Sequence, residues 1–131
     1  MGLFSGFFGG SGKEGGESGS KVPWLALSRL EQLDDIVEKS HSRPQVIFKH
    51  STTCGISRMV LNMFNRNYGL SEGQMDFYFL DLHQFRDVSD GVATRFGIVH
   101  QSPQLLVVKN GTVVAHDSHG AITDLQLDTF V

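Results

Sequence analysis

Two short hydrophobic runs with one amphipathic stripe between them restrict the possible folds more than any other feature of this chain. Gln45 to His50 carries Val46, Ile47 and Phe48, and Asp76 to Leu82 carries a second apolar run of similar length. The first has the β-branched and aromatic content of a buried strand, and the second reads as another strand. Between them Ile56, Met59, Val60, Met63 and Phe64 recur at i, i+3, i+4, i+7 and i+8, the apolar stripe of a helix. Strand, helix and strand in that order predict a parallel pair joined by a right-handed crossover.

The flanking sequence extends the pattern. Ser28 with Glu31 makes a capping box ahead of the stripe Leu30, Leu33, Ile36 and Val37, and Pro44 ends that unit. Phe85, Val88, Val92 and Phe96 give a further helix, which Gly97 can close. Leu105 to Val108 is a third strand. Asn110-Gly111 is a hairpin signal leading into a fourth, Thr112 to His116. Thr123 with Gln126 predicts another capping box, opening a short last helix through Leu127 and Phe130. The order α-β-α-β-α-β-β-α describes an α/β domain with a mixed four-stranded sheet flanked by helices.

Glycine divides the chain. Eight of its fifteen glycines fall in residues 1–20, together with four serines. Such a segment buries too little apolar surface to offset its ordering entropy, so residues 1–20 read as a flexible tail and 21–131 as the domain. Leu3, Phe4, Phe7 and Phe8 fall on one side of a possible helical turn, a weak docking patch or a fraying terminus. Gly6 stands where N-myristoylation wants Ser or Thr.

At 131 residues the chain has room for one such domain. Its longest apolar runs are four residues, too short for a membrane span. A net charge of −3 argues against a nucleic-acid partner, which calls for a basic face. A single cysteine allows no intrachain disulfide and no zinc site built on several cysteines. The start lacks the pattern of a secretory signal, so the expected location is the cytosol.

That cysteine, Cys54, falls between the first predicted strand and the helix after it, in Ser51-Thr52-Thr53-Cys54-Gly55-Ile56-Ser57. A cysteine at a helix N-terminus faces unpaired backbone N–H groups and the positive end of the helix dipole, which favour the nucleophilic thiolate. Lys49 and His50 can add positive potential, and the hydroxyls of Thr52, Thr53 and Ser57 can donate hydrogen bonds to sulfur. A lone cysteine is more commonly an inert core residue, but the strand-to-helix junction and its small polar neighbours favour the reactive reading. Farther along, Ser102-Pro103 comes directly before the third strand, a place compatible with either a trans or a cis bond. His116 and His119 form an H-x-x-H pair at a strand end, without the three or four ligands that a metal site needs.

Phe96 to Val99, Ser102-Pro103 and Leu105 to Gly111 together look like the latter half of thioredoxin-fold proteins, in which the proline is cis and packs beside the active cysteine. More narrowly, Phe48 to Ser57 resembles the monothiol bacilliredoxin-like (YtxJ-like) family of the bacillithiol system. Trp24, Glu31-Gln32-Leu33 and His119 to Thr123 fit the same family. Gly55 departs from it, standing where proline is frequent. The resemblance implies a thioredoxin-like fold over residues 22–131 and a redox role in oxidative stress.

With Ser57 where a dithiol enzyme keeps its second cysteine, Cys54 cannot release itself internally. Phe48 and its neighbours also supply no buried acid. Cys54 is then expected to take a low-molecular-weight thiol, bacillithiol, from bacillithiolated proteins, with no bound cofactor. A second thiol molecule or a flavin-dependent disulfide reductase would regenerate it. Ser102 and Pro103 would present backbone groups to the substrate segment, and Ser57 a supporting hydrogen bond. Cys54-Gly55-Ile56-Ser57 is also similar to the C-G-F-S motif of monothiol glutaredoxins, some of which carry an iron–sulfur cluster. Those proteins place their lysine farther upstream than Lys49 and have a glycine pair that Lys109 to Gly120 lacks. A thioredoxin-fold stress or interaction protein with an incidental cysteine is the non-enzymatic alternative.

Overall fold

The computed structural model describes residues 22–68 and 73–131, so the tail read over residues 1–20 lies outside the described residues. Among the described residues five strands form one sheet: β1 (Trp24–Ala26), β2 (Gln45–His50), β3 (Asp76–Asp81), β4 (Gln104–Lys109) and β5 (Thr112–Ser118), in the spatial order β1-β3-β2-β4-β5. Three helices separate them: α1 (Glu31–Lys39), α2 (Gly55–Asn67) and α3 (Arg86–Phe96). The β2–β3 pair is parallel, as strand-helix-strand requires, and β4 joins β2 antiparallel. The fold class is α/β of the expected kind, with five strands where four were expected. The extra strand is β1, parallel to β3 through Trp24↔Phe77 and Leu25↔Tyr78. Three residues are too few to show a period, so β1 is defined by its partner and not by its own pattern.

Alternation along β2 divides the core in two. Val46 and Phe48 face Val60 and Phe64 of α2, with Phe77, Leu105, Val107 and Ile122. Ile47 faces the other way, among Leu33 and Ile36 of α1 and Val88 and Val92 of α3. On the α2 side Trp24 is packed by the rings of Phe48, Phe64, Phe77 and Phe79, at centroid distances of 5.7 to 5.9 Å. Its Nε1–H donates to Asn65 Oδ1 at 3.1 Å, which satisfies the polar tip of a half-buried indole.

Local signals hold where the backbone demands a particular residue. Asn110 and Gly111 both have positive φ (54° and 81°), as the two-residue hairpin turn requires. The turn is fastened to the end of α1: Asn110 N–H donates to Ser40 O and Gly111 N–H to Ser40 Oγ. Gly97 closes α3 in the left-handed conformation, φ 67°.

Both predicted capping boxes are replaced. At α1, Gln32 and not Glu31 reaches back. Its Oε1 accepts from Ser28 N–H (2.8 Å) and Arg29 N–H (2.9 Å), and its Nε2 donates to Ala26 O. That choice ties the helix start to β1, which a Ser28–Glu31 box would not do. At the C-terminus two 3₁₀ turns, His119–Asp124 and Leu127–Phe130, stand in place of the short helix. Thr123 Oγ1 donates inside the first turn, to Gly120 O, and the same turn seats Ile122 in the core.

The α2 stripe is also rotated from its expected setting. Ile56 and Met59 are exposed, whereas Ser57, Val60 and Phe64 are buried. A serine therefore occupies an inward position that the apolar period had given to isoleucine. Hydrogen bonds at the site account for it.

Candidate active site around Cys54

The ends of β2 and β3 and the start of β4 meet at one end of the sheet, because β2 and β3 are parallel and β4 runs against them. Cys54 sits there as the N-cap of α2, partly exposed, with extended backbone (φ −107°, ψ 118°) and no side-chain capping hydrogen bond. Its carbonyl accepts from Arg58 N–H, the first bond of the helix, so the earlier amides of α2 have no intrahelical acceptor. The thiol thus stands at the positive end of a 13-residue helix.

Ser51 holds this arrangement together. Its carbonyl accepts from Cys54 N–H (3.2 Å), and its N–H donates to Ser57 Oγ (3.1 Å). Its hydroxyl lies 2.7 Å from His83 Nε2. Ser57, fully buried, also meets His50 Nδ1 at 2.9 Å. The residue at the second-cysteine position is therefore a buried link between α2 and the end of β2. Burial beside Phe48 and Phe79 pushes the His50 pKa below its ordinary value. Asp81 opposes that shift, while Arg58 and His83 reinforce it. His50 is accordingly a neutral hydrogen-bonding ring at physiological pH.

The other expected site residues are distributed as follows. Thr53 is exposed, with Oγ1 3.3 Å from Ser51 Oγ and 3.2 Å from His83 Nε2. Thr52 is exposed and outside this network. Ser102-Pro103 is a cis peptide, and Pro103 is buried immediately before β4. Since Gln104 pairs with Lys49, the proline falls at the level of His50 on the neighbouring strand. Its carbonyl accepts from His119 N–H (3.0 Å). Ser102 Oγ is buried without a hydrogen-bond partner among the described residues.

Lys49 stands apart from this group. It alternates with His50 and so faces α3, where Nζ donates to Ser89 O (3.2 Å) and meets His100 Nδ1 (3.2 Å). It is completely buried, and the loss of hydration lowers its pKa to about 8 despite attraction from Asp90. His100 is also lowered, first by partial burial and then by the lysine charge. His116 is exposed on β5 and His119 begins the 3₁₀ turn; among the described residues no group of three or more His, Cys, Asp or Glu is placed to hold a metal.

The sequence did not single out Ser51 or His83. His83 lies 29 residues beyond Cys54, in the β3–α3 loop, and only the parallel pairing of β2 with β3 brings that loop to the cysteine. A histidine directly after a predicted strand that neighbours the cysteine strand was the available signal.

Comparison with known proteins agrees with this geometry. Residues 25–127 match the family model for the monothiol bacilliredoxin BrxC. A solved protein described as a candidate oxidoreductase with a thioredoxin fold is 35% identical, over 76% of this chain and 85% of its own, with a TM-score of 0.65. Thioredoxin from Malassezia sympodialis superposes with the same TM-score at 17% identity, over 88% of this chain and 95% of its own. Schistosoma mansoni thioredoxin gives 0.62 at 16% identity, over 82% and 98%. These last two share the fold alone. A thioredoxin fold, one cysteine at the N-terminus of α2 and a family match over most of the domain lead to one conclusion: the chain belongs to the monothiol bacilliredoxin BrxC family of thiol–disulfide oxidoreductases.

Proposed function

We propose that Cys54 removes bacillithiol from protein mixed disulfides. Its thiolate attacks the bacillithiol sulfur of the protein–bacillithiol disulfide. A new disulfide forms between Cys54 and bacillithiol as the old one breaks, and the substrate protein leaves as a thiolate that takes a proton from water. A second bacillithiol thiolate then attacks the Cys54 disulfide, restoring Cys54 and releasing bacillithiol disulfide. A flavin-dependent disulfide reductase supplies the two electrons that return that disulfide to the thiol.

One observation carries this reading: the chain's only cysteine is partly exposed at the start of α2, and the position three residues on is a buried serine already engaged by Ser51 and His50. No internal thiol can resolve the Cys54 adduct, so the resolving thiol comes from outside. Cis-Pro103 and Ser102, at the same end of the sheet, are the groups we assign to the extended substrate segment. A lone thiol without a disulfide framework suits the cytosol, where we place the reaction. Among the described residues, no helix is long and apolar enough to cross a membrane.

The test is intact mass after brief exposure of the reduced protein to bacillithiol disulfide or glutathione disulfide, with Cys54→Ser as control. Rapid addition of one bacillithiol to the parent and none to the variant is expected. Preference for glutathione overturns the choice of thiol, and no adduct from either overturns the exchange reading.

A further inference from the structure

We propose that His83 is a positioning residue for Cys54, clamping the β2–α2 loop from the neighbouring β3–α3 loop. The inference rests on the exchange reading and adds to it a residue outside the cysteine motif. Its basis is a closed triangle: His83 Nε2 lies 2.7 Å from Ser51 Oγ and 3.2 Å from Thr53 Oγ1, and the two hydroxyls are 3.3 Å apart. One ring nitrogen therefore engages two of the three residues that precede the nucleophile. Of the two, Ser51 is buried and its carbonyl holds the Cys54 amide. The backbone N–H of Ser51 is committed to Ser57, so its hydroxyl is the remaining arm, and His83 holds it.

The clamp is itself anchored. Asp81 Oδ1 accepts from the backbone N–H of His83 (3.2 Å) and of Gln84 (3.3 Å), and Leu82 N–H donates to His50 O (3.1 Å). The β3–α3 loop is thus fixed to the end of β2 before its imidazole reaches across. His83 and Thr53 are both exposed, so their contact contributes little to the core. Its effect is confined to the loop that carries the thiol. A nucleophile attacking a disulfide sulfur must hold a defined line of approach, and fixing its backbone beforehand removes that ordering cost from the reaction.

Three variants of the full chain test the clamp: His83→Ala, His83→Gln and Thr53→Val. In His83→Ala the Cys54 amide, which donates to Ser51 O, should exchange with deuterium about tenfold faster. With a bacillithiolated test protein, kcat should fall about tenfold while KM changes less than about twofold. His83→Gln keeps an amide group near the imidazole nitrogen and should recover most of both losses. Thr53→Val, which removes one side of the triangle, should move the same quantities by a smaller factor. Should His83→Ala fail to fold, the glutamine and valine variants decide alone. The proposal is overturned if that amide exchanges at the parental rate, or if it speeds up with kcat unchanged. A parent inactive on mixed disulfides would sink the functional reading, and amide exchange would then decide whether the clamp exists.

Discussion

His50 and Lys49 are neighbours in β2 and stand on opposite faces of the sheet. The His50 face leads to Ser57, Ser51 and the backbone of Cys54; the Lys49 face leads to Ser89 and His100 beneath α3. Each buries an ionisable group, and burial lowers both pKa values. The consequences differ. On the His50 side, Nδ1 of a neutral imidazole is paired with the Ser57 hydroxyl. An ammonium surrendering its hydration for one carbonyl and one imidazole nitrogen remains under strain from desolvation. Chemistry and stored instability thus occupy adjacent residues without sharing contacts.

The largest expected effect sharpens the first half of that contrast. Cys54→Ser should abolish thiol exchange in the mass assay while changing stability by less than about 0.5 kcal/mol, because the side chain is partly exposed and makes no capping bond. Next comes Ser57→Ala, which strands the buried Ser51 N–H and His50 Nδ1. A loss of about 1–3 kcal/mol by denaturant unfolding is expected. A smaller loss would mean that the serine is a spacer and not the link between α2 and β2.

Lys49→Met should act in the opposite direction, raising stability by about 1–2 kcal/mol at neutral pH through removal of a buried charge. Linkage gives this a signature. Below about pH 8 the lysine is protonated in both folded and unfolded chains, and its cost is full. Between about 8 and 10.5 the unfolded chain keeps a proton that the folded chain has released, so stability rises with pH. Denaturant melts across that window should show the rise in the parent and its absence in the variant. The His100 pKa, followed by NMR, should move up in the same variant, because the lysine charge holds it down.

The smallest effect is the acid limb. The folded-state His50 pKa lies below its unfolded value of 6.5, so the unfolded chain takes up the proton first and stability falls as pH drops below 6.5. Melts of the parent and His50→Gln should separate progressively as pH falls from 7 to 5, the parent losing more stability. Parallel curves would place that ring in contact with water.

Much of the frame was legible in the chain. The strand-helix-strand unit, the Asn110-Gly111 hairpin and the Gly97 stop each depend on neighbours a few residues away, where period and backbone preference act directly. Cys54 at the head of α2 was legible for the same reason, as a strand end followed by a helical stripe. The local signals failed where two partners competed for one role. Gln32 displaced Glu31 at α1 because it also reaches Ala26, and Ser57 displaced Ile56 inward because three polar groups converge there. Lys49 and His50, both expected to surround the thiol, were separated by the two-residue period of β2 itself.

By itself, then, the sequence determined the element types, the α/β class and the one atom that can do thiol chemistry, since each follows from residue identity or short-range periodicity. Only the tertiary structure decided that β1 completes the sheet, that Lys49 turns away from Cys54, and that His83 reaches Ser51 and Thr53. Those depend on strand pairings between residues 31 and 53 positions apart in the chain, and a local pattern carries no information about contacts at that separation.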